Sequence, residues 1–406
     1  MKVGRYAEMP LQDETDTDKY GAVFVLRRSP VQDVTIQLQG WSAHVRRGVP
    51  AVVVHGDGSG VDLSSTLVEA FEAANNALDY MSFRGLADVT IIDAVDDFLI
   101  WWPGPAGVVM HANLIHTVTS HSTATVTVHD ANGDLVRTAP PTPLQRDAFR
   151  FVRMSRTSDY LHDAYRYMFL ALESVLDDIH AHTRGGEVAW FKDALRQANQ
   201  IEPVSFLAPS GTPDPIDWIY DNMYRPERSG LMHAKASRGY IIPQDLSSRN
   251  SIQRSLELLS TYVLNLLEKR TNIGHMSSGL MQGGWEILAG GALSKHRIVL
   301  SDDETPFNEN DLLFAPGGGR VVELQNGAIT RENEPMVMAM TGVCEKSDLN
   351  RLDQIRRIGA MGPDDEALLA SPLYGPLQLD EDVVRLEVKL GLRNVNSTGS
   401  RIHFSA

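Results

Sequence analysis

The period of the hydrophobic pattern changes twice along this chain, and that change rules out any architecture built from one kind of element. Residues 20–56 carry short β-type runs, Ala22-Val23-Phe24-Val25-Leu26 and Ala51-Val52-Val53-Val54, parted by polar and glycine-containing turns. Between 63 and 83 the period shifts. Leu67, Ala70, Phe71, Ala74, Leu78 and Met81 recur at three and four, the spacing of one helix face, and Gly85 supplies a stop. Strand-like segments resume at 89–92, 98–102 and 108–128, with Asn132-Gly133 as a hairpin-type turn. The run Ala139-Pro140-Pro141-Thr142-Pro143 then breaks the chain, because proline cannot donate to a ladder or continue a helix.

Beyond those prolines the pattern is helical. Leu161, Tyr165, Met168, Phe169, Leu172, Val175, Leu176 and Ile179 form one apolar stripe, and Val188, Phe191, Leu195 and Ala198 form a second. After a Pro/Ser/Gly loop at 203–215, Ile216, Ile219, Tyr220 and Met223 predict a shorter third helix. A long fourth follows Ser247, with Ile252, Leu256, Leu259, Val263, Leu266 and Leu267 facing inward. Four helices in this span predict a bundle. Past His275 glycines multiply, strand-like stretches fall at 297–300, 321–324, 336–340 and 383–392, and 349–358 reads as a short helix. The expected fold is therefore multidomain α+β: a sheet-rich amino-terminal domain at 1–145, a central four-helix bundle at 155–275, and a β-rich carboxyl-terminal region at 276–406.

With 406 residues, 43% hydrophobic and 22% charged, the chain is long enough for two or three cores, which excludes a disordered or fibrous reading. No run of about 18 apolar residues occurs, and the first twenty residues have neither an apolar signal core nor a basic transit pattern, so a cytoplasmic chain without membrane contact is expected. The lone Cys344 rules out an intrachain disulfide and a multi-cysteine zinc site. The net charge of -15 is uneven: residues 151–275 hold 14 basic and 15 acidic side chains, between two more acidic flanks. Long-range attraction to polyanions is excluded, so any nucleic-acid contact has to be local.

Several motifs dissolve on inspection. His55-Gly56-Asp57-Gly58-Ser59-Gly60 follows a strand and precedes a helix, yet it lacks the Gly-Lys-Ser/Thr ending of a phosphate loop and the glycine spacing of a dinucleotide loop, so it reads as a turn. His111 and His121 on an extended strand would lie roughly 33 Å apart, too far to share an ion with His116 or each other. His180 and His182 end a helix and complement its dipole. No cofactor and no metal is expected.

One spacing carries chemistry. Arg228-Ser229-Gly230-Leu231-Met232-His233 places an arginine and a histidine with four residues between them, between the third and fourth predicted helices. Chance alone produces such pairs, as Arg270/His275 and Arg156/His162 illustrate, so the flanking residues have to decide. From Ile219 to Ala234 the chain resembles the Arg-x4–6-His segment of the HEPN superfamily, in its Apea-like branch, and Met168-Phe169-Leu170-Ala171-Leu172-Glu173-Ser174 resembles that branch's opening helix. A looser similarity is to methylamine-utilisation accessory proteins. The likeness covers about 120 residues. Ser229 stands where the family often has asparagine, aspartate or histidine, and Pro226 interrupts the approach.

The resemblance implies metal-independent RNA cleavage by paired motifs across a homodimer of bundles, in a stress or anti-phage setting. His233 would be the acid/base and Arg228 the phosphate clamp, with Ser229, Lys235, Arg225 and Arg238 binding the RNA backbone. Glu173 would orient the pair. Imidazole titrates near neutrality and guanidinium offsets phosphoryl charge, so the residue types suit the task. A different class also accommodates the same residues: a non-catalytic scaffold or ligand-binding interaction module in which Arg228 caps a helix and His233 packs beneath the next.

Overall fold

A computed structural model describes residues 2–15, 18–60, 62–92, 95–118, 129–134, 142, 144–182, 185–234, 239–275, 282–306, 308, 311–332 and 336–394. The chain divides into two compact units, one from residues 1–118 with 281–394 and one from 119–280 with 395–406.

The first unit holds fifteen strands and three helices among the described residues. Its amino-terminal elements are β1 (Gly4–Tyr6), β2 (Met9–Pro10), β3 (Tyr20–Val25), β4 (Val34–Leu38), β5 (Trp41–Val45), β6 (Ala51–Gly56), α1 (Leu63–Phe83), β7 (Phe98–Gly104) and β8 (Gly107–Val118). Its carboxyl-terminal elements, numbered after the helices α2–α7 of the second unit, are α8 (Gln282–Leu293), β9 (Arg297–Ser301), β10 (Val321–Glu323), β11 (Gln325–Arg331), β12 (Val337–Glu345), α9 (Lys346–Leu349), β13 (Ile355–Met361), β14 (Ala367–Leu379) and β15 (Val383–Asn394).

These strands form a nine-stranded sheet in the order β11-β12-β15-β8-β7-β3-β6-β5-β4 and a six-stranded sheet in the order β10-β9-β13-β14-β1-β2. Every paired neighbour is antiparallel except β8 and β15, which run parallel from Val108/Val383 to Val118/Asn394. Each sheet thus mixes strands from both ends of the chain. The apolar run in β6 is buried along its whole length, and α1 lays its stripe on β3, β6 and β7, where Phe71 meets Phe24 edge-on at 5.4 Å. Asp62 caps α1 by accepting the Ser65 backbone N–H at 2.9 Å, and Gly85, at φ +66°, turns the chain just past its end.

The second unit contains α2 (Asp147–Thr157), α3 (Leu161–Ile179), α4 (Glu187–Ala198), a 3₁₀ turn (Val204–Leu207), α5 (Pro215–Ile219), a π-helix (Tyr220–Arg228), α6 (Ser229–Met232) and α7 (Leu246–Thr271). The stripes of α3 and α7 pack on one another and on Phe191, Leu195 and Tyr224 to form a continuous core. Ser155 of α2 donates to the Ala164 carbonyl of α3 at 2.8 Å.

This arrangement corrects the expected fold class. The sheet-rich start and the β-rich end are halves of shared sheets, joined at β8–β15 and β1–β14, where a sheet-rich amino-terminal domain and a separate carboxyl-terminal region were expected. The helical segment is not a clean four-helix bundle either. α2 precedes the expected first helix, and the expected third helix is a composite of α5, the π-helix and α6. Pro226 lies inside that composite; without an N–H it cannot complete an i→i−4 ladder, and the chain widens so that Ser229 N–H reaches Tyr224 O. The segment expected as a helix at 349–358 instead leaves α9 and enters β13. The 119–128 part of the predicted strand lies outside the described residues. No described helix is long and apolar enough to cross a membrane.

Candidate functional site

Arg228 ends the π-helix, and three elements fix its guanidinium. Glu173 of α3 lies 2.9 Å from Nη2, Glu187 at the start of α4 lies 3.0 Å from the same nitrogen, and the ring of Tyr224, one π-turn back, lies 4.9 Å below the guanidinium carbon. Tyr224 belongs to a stack of two rings capped by a cation at each end: its ring stacks on Tyr220 at 5.6 Å, and Lys192 covers Tyr220 at 4.4 Å. The π-helix places Tyr220, Tyr224 and Arg228 one above another, and α4 brings Lys192 to the far end.

Burial and charge oppose each other here. Desolvation works against the Arg228 cation, but Glu173, Tyr224 and Glu187 outweigh it and its pKa rises. Burial pushes the Glu173 carboxyl up, with Arg228 pulling the other way. The Arg228 and Glu173 side chains are each only 15% exposed, so their attraction is screened less than that of a surface pair. Two carboxylates against one guanidinium leave the cluster with a negative excess, while the buried Arg228 Nε–H has no hydrogen-bond partner among the described residues.

Beneath it lies a second buried carboxyl. Glu227 accepts from Ser251 at 2.6 Å and from Ser255 at 3.0 Å, and burial raises its pKa. The Tyr165 hydroxyl beside it donates to Met223 O at 3.2 Å. These bonds pin the last π-turn to α7 and α3, so Arg228 rests on a rigid base.

The sequence-predicted residues separate into groups. Arg228 and Glu173 are brought together. His233 caps the carboxyl end of α6 and is exposed; its backbone N–H donates to Ser229 O at 3.1 Å, and no hydrogen bond or ion pair joins its imidazole to Arg228 among the described residues. The Ser229 hydroxyl is committed to Tyr224 O at 3.1 Å. Arg225 is exposed on the π-helix. Lys235 and Arg238 lie outside the described residues. Glu187, Tyr224 and Glu227 are the members that sequence reading missed. Tyr224, four residues before Arg228, was the one with a spacing signal.

Among the described residues no three His, Cys, Asp or Glu side chains converge as a metal site would require. Compared with known proteins, the chain matches no family model, no curated protein and no solved structure.

Proposed function

We propose that the helical unit cleaves RNA, with Arg228 holding the scissile phosphate and His233 moving protons. The observation that carries this reading is an arginine oriented by two carboxylates and an aromatic face, with an exposed histidine five residues on. A π-helix at such a place is itself unusual, because its looser ladder persists where a side-chain position repays it. In the reaction the ribose 2′-oxygen attacks phosphorus, its proton passes to an imidazole, and the 5′-oxygen leaves with a proton from an acid. The products are a 2′,3′-cyclic phosphate and a free 5′-hydroxyl. Base and acid come from two copies of His233 in a homodimer.

His233→Ala is the decisive variant, since an exposed side chain is removed with little effect on folding. It is expected to reduce cleavage of a single-stranded RNA in EDTA at least about a hundredfold while leaving thermal unfolding unchanged. Full cleavage by that variant would refute the assignment.

One observation favours a second reading. The paired carboxylates satisfy Arg228 internally, as they would in an interaction module that uses the cluster only to lock α3, α4 and the π-helix together. On that reading the wild-type chain cleaves nothing, and Glu173→Gln lowers stability without any change in RNA.

A further inference from the structure

The two sheets of the first unit line a half-open cavity of about 480 Å³, a volume typical of small-molecule sites. Its body is apolar: Val25, Phe98 and Leu114 face it from the nine-stranded sheet, Ile358 and Leu373 from the six-stranded one. The polar lining comes from Asp97 just before β7, His116 and Thr117 on β8, Ser371 and Tyr374 on β14, and Tyr6 on β1.

Most of these groups have partners. Ser371 Oγ and His116 Nε2 are 2.6 Å apart, and the Tyr6 hydroxyl accepts the Tyr374 backbone N–H at 3.1 Å. Asp97 is different. Its Oδ1 receives one long bond, 3.4 Å from the Ile115 N–H, and its Oδ2 has no partner among the described residues. The adjacent Asp96 is buried in a two-pronged pair with Arg393, one arm of which measures 2.6 Å, so the nearby guanidinium is already engaged. Burial disfavours the His116 cation, and Tyr6 and Tyr374 are raised further from ionisation. Asp97 is left as the one lining side chain that can bring a full charge to the cavity, and desolvation together with Asp96 raises it to about 7.

We propose that this cavity binds a small organic cation, a protonated primary or secondary amine whose apolar body fills the space and whose N–H groups bond to the Asp97 carboxylate. An anion is repelled by Asp97 and Asp96. A neutral guest leaves Asp97 protonated and gains no ion pair from it. A cation answers both, and because it binds the ionised form, it drives off the proton that Asp97 holds near neutrality. The site is independent of Arg228, since every lining residue belongs to the first unit.

Isothermal titration of the full chain with benzylamine, cyclohexylamine and phenethylamine, each against its matched alcohol, tests this. The amines are expected to bind at least about tenfold tighter than the alcohols, and about tenfold tighter at pH 8 than at pH 6, as the ionised fraction of a group near 7 dictates. Asp97→Asn keeps the shape and is expected to abolish both the amine preference and the pH dependence, with thermal unfolding confirming a folded chain. Equal binding of amine and alcohol by the wild type, no binding of either, or an undiminished amine preference in Asp97→Asn would each overturn the proposal.

Discussion

Arg393 and Asp97 flank Asp96 in contact but not in role. The Arg393–Asp96 pair is buried on both sides, so removing one partner leaves an uncompensated charge. Arg393→Met is expected to destabilise the chain by about 3 to 5 kcal/mol, and Asp96→Leu in the same chain to recover most of that loss, as read from urea midpoints. Asp97 responds to pH. Its folded pKa of about 7 lies above the ordinary 3.8, so between those values the native state keeps a proton that the unfolded chain has released. Stability attributable to this group is therefore full below about pH 4 and falls as pH rises to about 7, by a total on the order of 4 kcal/mol. Asp97→Asn removes that slope, so the difference between variant and wild type in urea unfolding has to grow across that window. A flat difference would show that the carboxyl is not held neutral by its surroundings. Residues of this kind were invisible in sequence. The spacing of His116 suggests only metal ligation, and Ser371, its partner, stands 255 positions away. By contrast, the resemblance of its helix to a family's opening helix names Glu173 beside Arg228, and the two side chains lie 2.9 Å apart.

At the scale of elements, legibility tracked the length and purity of the period. α1, α3 and α7 each carry long apolar stripes and appear where the sequence puts them. α2 buries only Ala148, Val152 and Ser155 among arginines, too thin a stripe to read, and in β13 Ile355 and Ile358, spaced by three, mimic a helix face. The π-helix was not legible at all, since a proline inside a helical pattern predicts a break, whereas here the ladder lengthens around it. That geometry is testable. In Pro226→Ala the restored N–H permits an ordinary α-turn, which rotates Arg228 away from α3. A double-mutant cycle on Glu173 and Arg228 is expected to give a coupling of about 1 to 2 kcal/mol in the wild type and below about 0.5 kcal/mol in the Pro226→Ala background. An unchanged coupling would mean that the clamp does not depend on the widened turn.

The whole molecule is held by a decision that no local pattern announces: its two ends share their sheets. Strand runs near 22, 52, 100 and 385 announce β-structure, but nothing in their spacing says that β8 pairs with β15 across more than 250 residues, because pairing is settled by which apolar faces and edges fit. The helical unit is inserted between β8 and α8, and its stripes face inward on a core of their own. Cutting the chain therefore has unequal consequences. A fragment of residues 1–118 ends with β8 exposing a bare edge that the native sheet covers with β15, and it lacks β14, on which β1 hydrogen-bonds. That fragment is expected to aggregate on its own and to yield a soluble, β-rich complex when co-expressed with residues 281–394, judged by size-exclusion chromatography and circular dichroism. Residues 144–275, expressed alone, are expected to fold as a cooperative helical unit, because their buried core is built from their own helices. A monomeric, cooperatively unfolding fragment 1–118 would contradict the shared-sheet architecture, since it would show that β8 and β1 need no partner from the far end of the chain.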